Sequence, residues 1–563
     1  MITDFFYGLS LRAVRFLFNI KSVIQSLMYR MKKFLCYYLF ALILLSACNQ
    51  SGDPVEQNFT VPSWTLYQRA LQSGKSVKEA KTLLVLKDYP YNINTTINGN
   101  PSNQMGIAWF TNASVAGGVV QIVEGKVNNP SAFTNAREIQ AISVVIDSVN
   151  YVSIGNESRN NNEELITATG FIRGEKRSYT SNKALMDNLK PNTTYSYRVG
   201  KKGAWSEIGS FTTAGTGKEA FEFIYITDTQ AYTDAMYNIS KKTIETATAY
   251  TPNARFLLIT GDLNESNGAE SSEWEWEQWF EKMQNTWLHL PIVPVQGNHD
   301  ISPFSHWSHH FNTDHSFNMQ QTDPNAQTAM NGTIYSFVYG NALMLVINFE
   351  DMAKGEPYFA ALEQWIRRQV IAHSDVKWKI VTFHKSMFTG HSGRLAGQEG
   401  ITIRERFASI FQELGIDFVI QGHDHLYQVI GVLAVDGTNY SHLADAVSNQ
   451  TIVTPTPADG RTITTDVTGK QGGTFDVSNG MIFFLNNSAG KTKNYPNSKE
   501  QIEATFPQHG IKDFFDMLNK FGQTGEPTFS RIRVATEAID ITTFAVDDNG
   551  TVTLFDAFRI VKN

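Results

Sequence analysis

Acidic, amide and imidazole side chains follow five apolar segments of this 563-residue sequence, each at the point where the segment ends. The five motifs are Asp228-Thr229-Gln230, Gly261-Asp262-Leu263-Asn264-Glu265, Gly297-Asn298-His299-Asp300, Phe383-His384 and Gly422-His423-Asp424-His425. The carboxyl ends of strands in an α/β sheet meet in one crevice, so these side chains can converge despite wide gaps in sequence. We therefore expect one polar site built from all five motifs.

These residue types suit divalent cations. A single Asp at a strand end is usually a turn former or helix cap, but His423 and His425, alternating beyond an apolar strand, are unusual without a metal. The only cysteines are Cys36 and Cys48, which excludes thiolate ligands downstream and favours harder ions. Two such ions could neutralise an anionic phosphate ester, orient it and acidify a water molecule. One carboxylate should bridge the two ions.

The order of the motifs resembles the calcineurin-like metallophosphoesterase superfamily, and a β-rich region before them makes the chain similar to its purple acid phosphatase branch. This resemblance implies metal-dependent hydrolysis of phosphoric esters by metal-activated water. It also implies the ligand set of two divalent ions: Asp228 and His425 on one ion, Asn298, His384 and His423 on the other, and Asp262 between them. By the same likeness, His299 hydrogen-bonds the phosphoryl group or protonates the leaving oxygen. His391 fits the place of a second catalytic histidine.

Two positions depart from the purple acid phosphatase pattern. Glu265 stands where that branch has a tyrosine, so we expect neither purple colour nor stabilised Fe³⁺. Gln230 stands where the branch has glycine, and other members of the superfamily use a ligand there. We therefore expect Gln230 to bind metal, and we leave the identity of the ions open among Mn, Zn and Fe.

Apolar strands that alternate with helical patterns after residue 218 predict an α/β (α+β) metallophosphoesterase fold, with layered β-sheets flanked by helices. Short alternating strands in 88–214 predict an all-β sandwich before it. The segment Leu189–Val199 resembles the tyrosine corner of fibronectin type III domains. We predict four regions: an upstream sequence with a signal peptide (1–47), a tether (48–87), the β-sandwich (88–214) and the catalytic domain with terminal strands (218–563).

The amino-terminal sequence predicts export. Lys32 and Lys33 precede an apolar run too short to span a bilayer comfortably, and the run ends in Leu45-Ser46-Ala47-Cys48. This pattern resembles a bacterial lipoprotein signal with acylation of Cys48. We expect a protein anchored by lipid in the bacterial cell envelope.

Composition limits the classes of binding partner that we expect. The net charge of −7 gives no electrostatic support for nucleic-acid binding. The family resemblance implies a small phosphorylated substrate, and the predicted lipid anchor on Cys48 implies the membrane as a partner. Trp274, Trp276 and Trp279 are predicted to pack in a core rather than to stack on substrate. The histidines between 306 and 315 are predicted to lie at the surface or at a pocket rim.

Three functions stay open at this point. The first is a phosphomonoesterase of the acid phosphatase type. The second is a phosphodiesterase or nucleotide pyrophosphatase, because some diphosphate hydrolases of the superfamily carry a glutamine in the first motif. The third is a surface-binding lipoprotein without activity, which the intact ligand set argues against.

Overall fold

The computed structural model describes residues 74, 89–115, 117–150, 176–231, 234–265, 273–301, 307–317, 332–350, 355–391, 394, 397–432, 434–435, 440–441, 473–491 and 518–563. All of them belong to one compact unit, Asn58–Asn563. The predicted signal peptide, Cys48 and nearly all of the predicted tether lie outside the described residues. Among the helices that are described, none is both long and apolar enough to cross a membrane.

Twenty-five strands follow one another along the described chain. The first nine are β1 (Tyr91–Thr96), β2 (Met105–Asn112), β3 (Val119–Glu124), β4 (Arg137–Gln140), β5 (Ile142–Asn150), β6 (Lys176–Met186), β7 (Thr194–Lys201), β8 (Ala204–Trp205) and β9 (Gly209–Thr212). The next seven are β10 (Phe221–Ile226), β11 (Ala254–Thr260), β12 (Ile292–Val295), β13 (Tyr335–Tyr339), β14 (Ala342–Val346), β15 (Trp378–Thr382) and β16 (Phe418–Gln421). The last nine are β17 (Tyr427–Val432), β18 (Ala434–Val435), β19 (Tyr440–Ser441), β20 (Thr474–Asp476), β21 (Met481–Leu485), β22 (Leu518–Gly522), β23 (Thr528–Val534), β24 (Ala538–Val546) and β25 (Val552–Val561).

Helices are fewer. The α-helices are α1 (Asp234–Tyr250), α2 (Glu273–Lys282), α3 (Gln284–Trp287), α4 (Trp307–His310), α5 (Glu356–Ala372) and α6 (Gln398–Glu413), and a 3₁₀ turn spans Pro130–Phe133.

Two large sheets pack face to face. One has eleven strands in the order β20-β25-β24-β23-β10-β11-β12-β1-β2-β6-β5, and the other has seven in the order β13-β14-β15-β16-β21-β17-β22. A continuous apolar core fills the space between them, with Phe223 and Leu258 from the first sheet and Ile380 and Phe418 from the second. Strands β10, β11 and β12 run parallel to one another, as do β14, β15, β16 and β21. The predicted layered α/β fold is therefore confirmed.

Helices cover the two outer faces. The apolar residues of α5 and α6 pack on the seven-stranded sheet, and those of α1, α2 and α3 pack on the eleven-stranded sheet. Trp274, Trp276 and Trp279 of α2 are fully buried, which confirms the predicted core role of these aromatic side chains.

The β-rich amino-terminal region shares a sheet and a core with the catalytic region. Strands β1, β2, β6 and β5 extend the eleven-stranded sheet, where Thr96 of β1 pairs in parallel with Ile292 of β12. Strands β4, β3, β7 and β8, with β9 beside β7, form a separate five-stranded sheet. The Tyr195 hydroxyl accepts a hydrogen bond from the Lys190 N–H at 2.9 Å. The likeness to fibronectin type III domains stays a prediction.

Among the described histidines of the cluster 306–315, His310 departs from its predicted position at the surface or at a pocket rim, and His306 lies outside the described residues. His310 is 1% exposed, and its ring stacks between those of Trp276 and Phe110, with centroids 4.5 and 4.6 Å away. Its Nε2 lies 3.1 Å from the Glu273 carboxylate, which gives the buried ring a polar partner. The surface prediction was wrong for His310 because the short helix α4 turns this side chain toward α2, whereas His315 is exposed.

Candidate metal centre

The five strand-end motifs meet at one place in the structure. Strands β10, β11 and β12 deliver the first three from one sheet, and β15 and β16 deliver the other two from the facing sheet. Two groups of donor atoms result, and within each group the atoms lie within 4.8 Å of one another. The groups are Asp262, His384 and His423 (cluster 1) and Asp228, Asp262 and His425 (cluster 2). Asp262 belongs to both, so the two clusters adjoin.

Cluster 1 directs several lone pairs at one point. The His384 Nδ1–H donates to the Thr260 carbonyl at 2.7 Å, which leaves Nε2 facing the centre. This Nε2 lies 3.1 Å from Asp262 Oδ2, 3.2 Å from Asn298 Oδ1 and 3.1 Å from His423 Nδ1. A single proton can be shared with only one of these acceptors at a time, whereas a divalent cation can accept electron density from all of them. The donor set therefore fits a metal ion.

Cluster 2 repeats this arrangement on the other side of Asp262. Asp228 Oδ1 lies 2.9 Å from His425 Nε2. The Gln230 amide nitrogen lies 3.5 Å from Asp262 Oδ2 and 3.4 Å from His425 Nε2. The other amide atom of Gln230, Oε1, is buried without a hydrogen-bond partner among the described residues. A half-turn of the amide exchanges the two atoms and presents the oxygen to the cluster, as a metal ligand requires.

The pKa values of the donor residues also show that the centre attracts positive charge. Burial lowers the pKa of His384, but the charge and hydrogen bond of Asp262 and the charges of Asp228 and Glu350 together outweigh burial and raise it to about 10. Burial likewise raises the pKa of Asp262, yet the neighbouring His384 and His299 bring it well below its usual value. Burial and the charge of His384 hold the pKa of His423 far below that of a free imidazole. His423 is thus kept neutral and can donate its lone pair.

Four of the donor residues adopt a left-handed backbone. The φ angles are 53° at Asp228, 52° at Asp262, 80° at His423 and 51° at His425. Non-glycine residues rarely adopt this region, and each costs about 1–3 kcal/mol unless its surroundings hold it. The strain concentrates at the ends of β10, β11 and β16, where it turns each side chain toward the centre.

Gly297 allows two of the turns to approach closely. A Cβ atom at this position would lie 2.3 Å from Asp262 Oδ1. Any side chain there would displace the shared carboxylate, so the glycine before Asn298 is a steric requirement of the centre.

Asp300 has a structural role that its motif alone does not reveal. Its Oδ1 accepts hydrogen bonds from the Leu263 N–H at 2.9 Å and the Asn264 N–H at 3.4 Å, and its Oδ2 accepts one from the Gly297 N–H at 2.9 Å. The buried carboxylate therefore fixes the turn after β11 against the turn after β12. Its place directly after His299 was the only sequence signal.

His299 and Glu265 form a pair beside the shared carboxylate. His299 Nδ1 lies 3.4 Å from Glu265 Oε1, and its Nε2 lies 3.9 Å from Asp262 Oδ2. Glu265 belongs to neither donor cluster. The residue at the tyrosine position thus contacts the histidine instead of the metal centre, a contact that the sequence reasoning did not foresee. With the Glu265 carboxylate beside Nδ1, Nε2 is the ring nitrogen that lies toward the centre.

His391 lies outside both clusters. Its Nδ1 is 3.4 Å from the Arg394 N–H, and burial lowers its pKa, with the charges of Asp424 and Arg394 acting in opposite directions. The structure therefore brings seven of the predicted site residues together with His299, and it leaves His391 at the side of the site. The seven are Asp228, Gln230, Asp262, Asn298, His384, His423 and His425.

The family models and the curated relatives agree with this architecture. Residues 221–427 match the calcineurin-like phosphoesterase family, which defines the class of the site-bearing domain. Residues 90–213 match the purple acid phosphatase N-terminal domain. These two matches, together with the purple acid phosphatases among the curated relatives, support the purple acid phosphatase-like branch of the calcineurin-like phosphoesterases for this chain.

Curated relatives cover part of the chain. A probable purple acid phosphatase of Arabidopsis thaliana is 22% identical over 45% of this chain and 56% of its own length. A phosphoenolpyruvate phosphatase of Allium cepa is 23% identical over 43% of this chain and 49% of its own length. An uncharacterised protein of Mycobacterium tuberculosis is 23% identical over 54% and 60%, respectively. The chain thus spans about half to three fifths of the length of each of these relatives.

Solved structures share the fold. A purple acid phosphatase from yellow lupin superposes with a TM-score of 0.56 at 14% identity, covering 84% of this chain and 75% of the lupin chain. The structure of PhoD superposes with a TM-score of 0.51 at 11% identity, covering 84% of this chain and 91% of its own.

Proposed function

We propose that this protein hydrolyses phosphoric monoesters with water at a centre of two divalent cations. One observation carries the proposal: two donor clusters adjoin and share the carboxylate of Asp262. Cluster 1 with Asn298 would hold one ion, and cluster 2 with Gln230 would hold the other. Such ions would neutralise the charge of the ester and acidify a water molecule.

Side chains of the protein supply the proton donor and the positioning contacts, which metal ions cannot provide. His299 presents Nε2 beside the centre and can donate its proton to the leaving oxygen or a hydrogen bond to the phosphoryl group. The carboxylate of Glu265, 3.4 Å from Nδ1, supports positive charge on the ring. Asp300 keeps the turns that carry Asp262 and Asn298 in register.

A substrate panel tests this proposal and its alternatives. Full-length protein is stripped with a chelator, reloaded with Mn²⁺ or Zn²⁺, and assayed on a monoester, a diester and a diphosphate ester. We expect metal-restored turnover that is highest on the monoester. Preference for the diester or diphosphate would replace the monoesterase assignment by the second hypothesis. No turnover on any ester by a protein with both ions bound would overturn the proposal in favour of the binding lipoprotein.

We further propose that the chain is exported and anchored by lipid on Cys48 in a bacterial cell envelope. The apolar run that ends in Leu45-Ser46-Ala47-Cys48 supports this location. Its experimental test is the substitution of Cys48 described in the Discussion.

A further inference from the structure

Two loops beyond the matched phosphoesterase region touch the metal centre from the carboxy-terminal part of the chain. The first, 486–490, follows β21, and the second, 523–528, runs from the end of β22 to the first residue of β23. Both lie outside residues 221–427. We call them together the C-terminal buttress.

The second loop holds the backbone of a predicted ligand. The Gln523 side chain is 2% exposed, and its Nε2 donates to the His425 carbonyl at 2.7 Å. His425 is one of the residues with a left-handed backbone. Since that conformation persists only where the surroundings enforce it, the hydrogen bond from Gln523 helps to determine where the His425 ring points.

The first loop holds the other end of cluster 2. The Ala489 N–H donates to the Thr227 carbonyl at 2.8 Å, one residue before Asp228. A Cβ atom on Gly490 would lie 3.0 Å from the Asp228 carbonyl oxygen, which is closer than most Cβ contacts in proteins, so glycine favours this close approach. The loop therefore packs directly on the turn after β10.

Hydrogen bonds tie the two loops together. Thr528 donates from its N–H to the Ser488 carbonyl at 3.2 Å and from its hydroxyl to Asn486 Oδ1 at 2.9 Å. The Asn487 amide donates to the Thr524 hydroxyl at 3.4 Å. The buttress is thus one hydrogen-bonded unit, and it contacts the turns of Asp228 and His425.

Cluster 1 has a different support. The Arg394 guanidinium donates to the His423 carbonyl at 2.7 Å and lies 3.3 Å from the Asp424 carboxylate. Each histidine of the turn after β16 therefore has its own carbonyl partner, Arg394 for His423 and Gln523 for His425.

From this division we propose that the C-terminal buttress, acting through Gln523, sets the metal affinity of cluster 2 separately from that of cluster 1. Gln523 is a positioning residue: it touches neither an ion nor the substrate and acts through His425. This proposal rests on the two-ion centre and adds that each of its two sites has a separate outer support.

Calorimetric titration of the metal-stripped full-length protein with Mn²⁺ tests the inference. The variant is Gln523→Leu, which keeps volume and removes the amide donor. The matched control is Gln284→Leu, which removes a like hydrogen bond from an amide, 2.7 Å to the Ile93 carbonyl. We expect two sites in the parent and in the control. In Gln523→Leu one site should stay unchanged and the other should weaken by roughly 10–100-fold, as for loss of an outer partner of a metal ligand.

A second background identifies the weakened site. His425→Ala removes a donor of cluster 2, and in that background Gln523→Leu should leave the remaining affinity unchanged. Should Gln523→Leu fold poorly, as judged by circular dichroism, Thr528→Val takes its place, since it removes only the hydroxyl contacts of the buttress. Equal weakening of both sites, or parent-like affinity at both, would overturn the inference. A parent that binds fewer than two ions would instead refute the two-ion centre itself.

Discussion

Variants of His299 and Glu265 test whether the His299 imidazole donates a proton during hydrolysis. His299→Ala should retain both ions, because the imidazole belongs to neither donor cluster. Turnover should fall by roughly 10²–10⁴-fold if the ring is a general acid or a donor to the transition state. With an alkyl phosphate the whole loss should be seen. With nitrophenyl phosphate, whose leaving group scarcely needs a proton, the loss should shrink if protonation is the main role.

Glu265→Gln should lose less than His299→Ala. The carboxylate lies 3.4 Å from Nδ1, which is an ion-pair distance and too long for a charge-assisted hydrogen bond. Such an ion pair contributes about 1 kcal/mol, which corresponds to roughly fivefold in rate. The assay is kcat with both substrates, together with metal content by mass spectrometry. Parent-like turnover of His299→Ala, or loss of its metal, would refute this assignment.

Three further outcomes are expected. Cys48→Ala should move the protein out of the membrane fraction or block its processing, and unchanged fractionation and mass would exclude the lipid anchor. Iron loading should produce no visible charge-transfer band, since Glu265 replaces the tyrosine; a purple protein would mean that the motif alignment is wrong. Lys520→Met should lower the free energy of unfolding by about 3–5 kcal/mol, because it leaves the buried Asp556, 2.7 Å from Nζ, without its cation. Adding Asp556→Leu should restore most of that loss in a denaturant titration, and no restoration would argue against the charge explanation.

Much of the layered fold could be predicted because buried parallel strands have short apolar sequences between turn residues. The apolar sequences Phe221–Ile226 and Ile292–Val295 form parallel strands over their whole length, and the alternating sequence Ala538–Val546 forms an antiparallel strand. The apolar sequence at 343–349 pairs only in part, because the strand spans Ala342–Val346. Ile347, Asn348 and Phe349 continue past it toward the site, and apolar composition alone does not mark where sheet pairing stops.

Contacts between distant segments could not be predicted. The continuation of the eleven-stranded sheet through β1 depends on Thr96 meeting Ile292, which are nearly two hundred residues apart. The burial of His310 depends in the same way on α2. Neither contact leaves a periodic pattern in the sequence, because each is decided by which surfaces face each other after folding.

The predicted ligand residues converge because parallel strands bring their carboxyl ends to one edge. The partners of these residues were harder to foresee. Glu265 stands at the position of a metal-binding tyrosine, but its side chain contacts His299. Gln523 lies about a hundred residues after His425 and in a loop with no motif, so only the folded chain reveals its contact.

Whether the carboxylate of Asp262 holds two ions together is tested by the variant Asp262→Asn. Metal content of the purified full-length protein is measured by mass spectrometry beside its turnover on a monoester, with the exposed Asp147→Asn as a matched control. We expect two ions per chain in the parent and control. We expect fewer than two ions in Asp262→Asn, together with the loss of turnover, because a neutral amide cannot bridge two cations as a carboxylate does. An Asp262→Asn protein that keeps both ions and parent-like turnover would contradict the account.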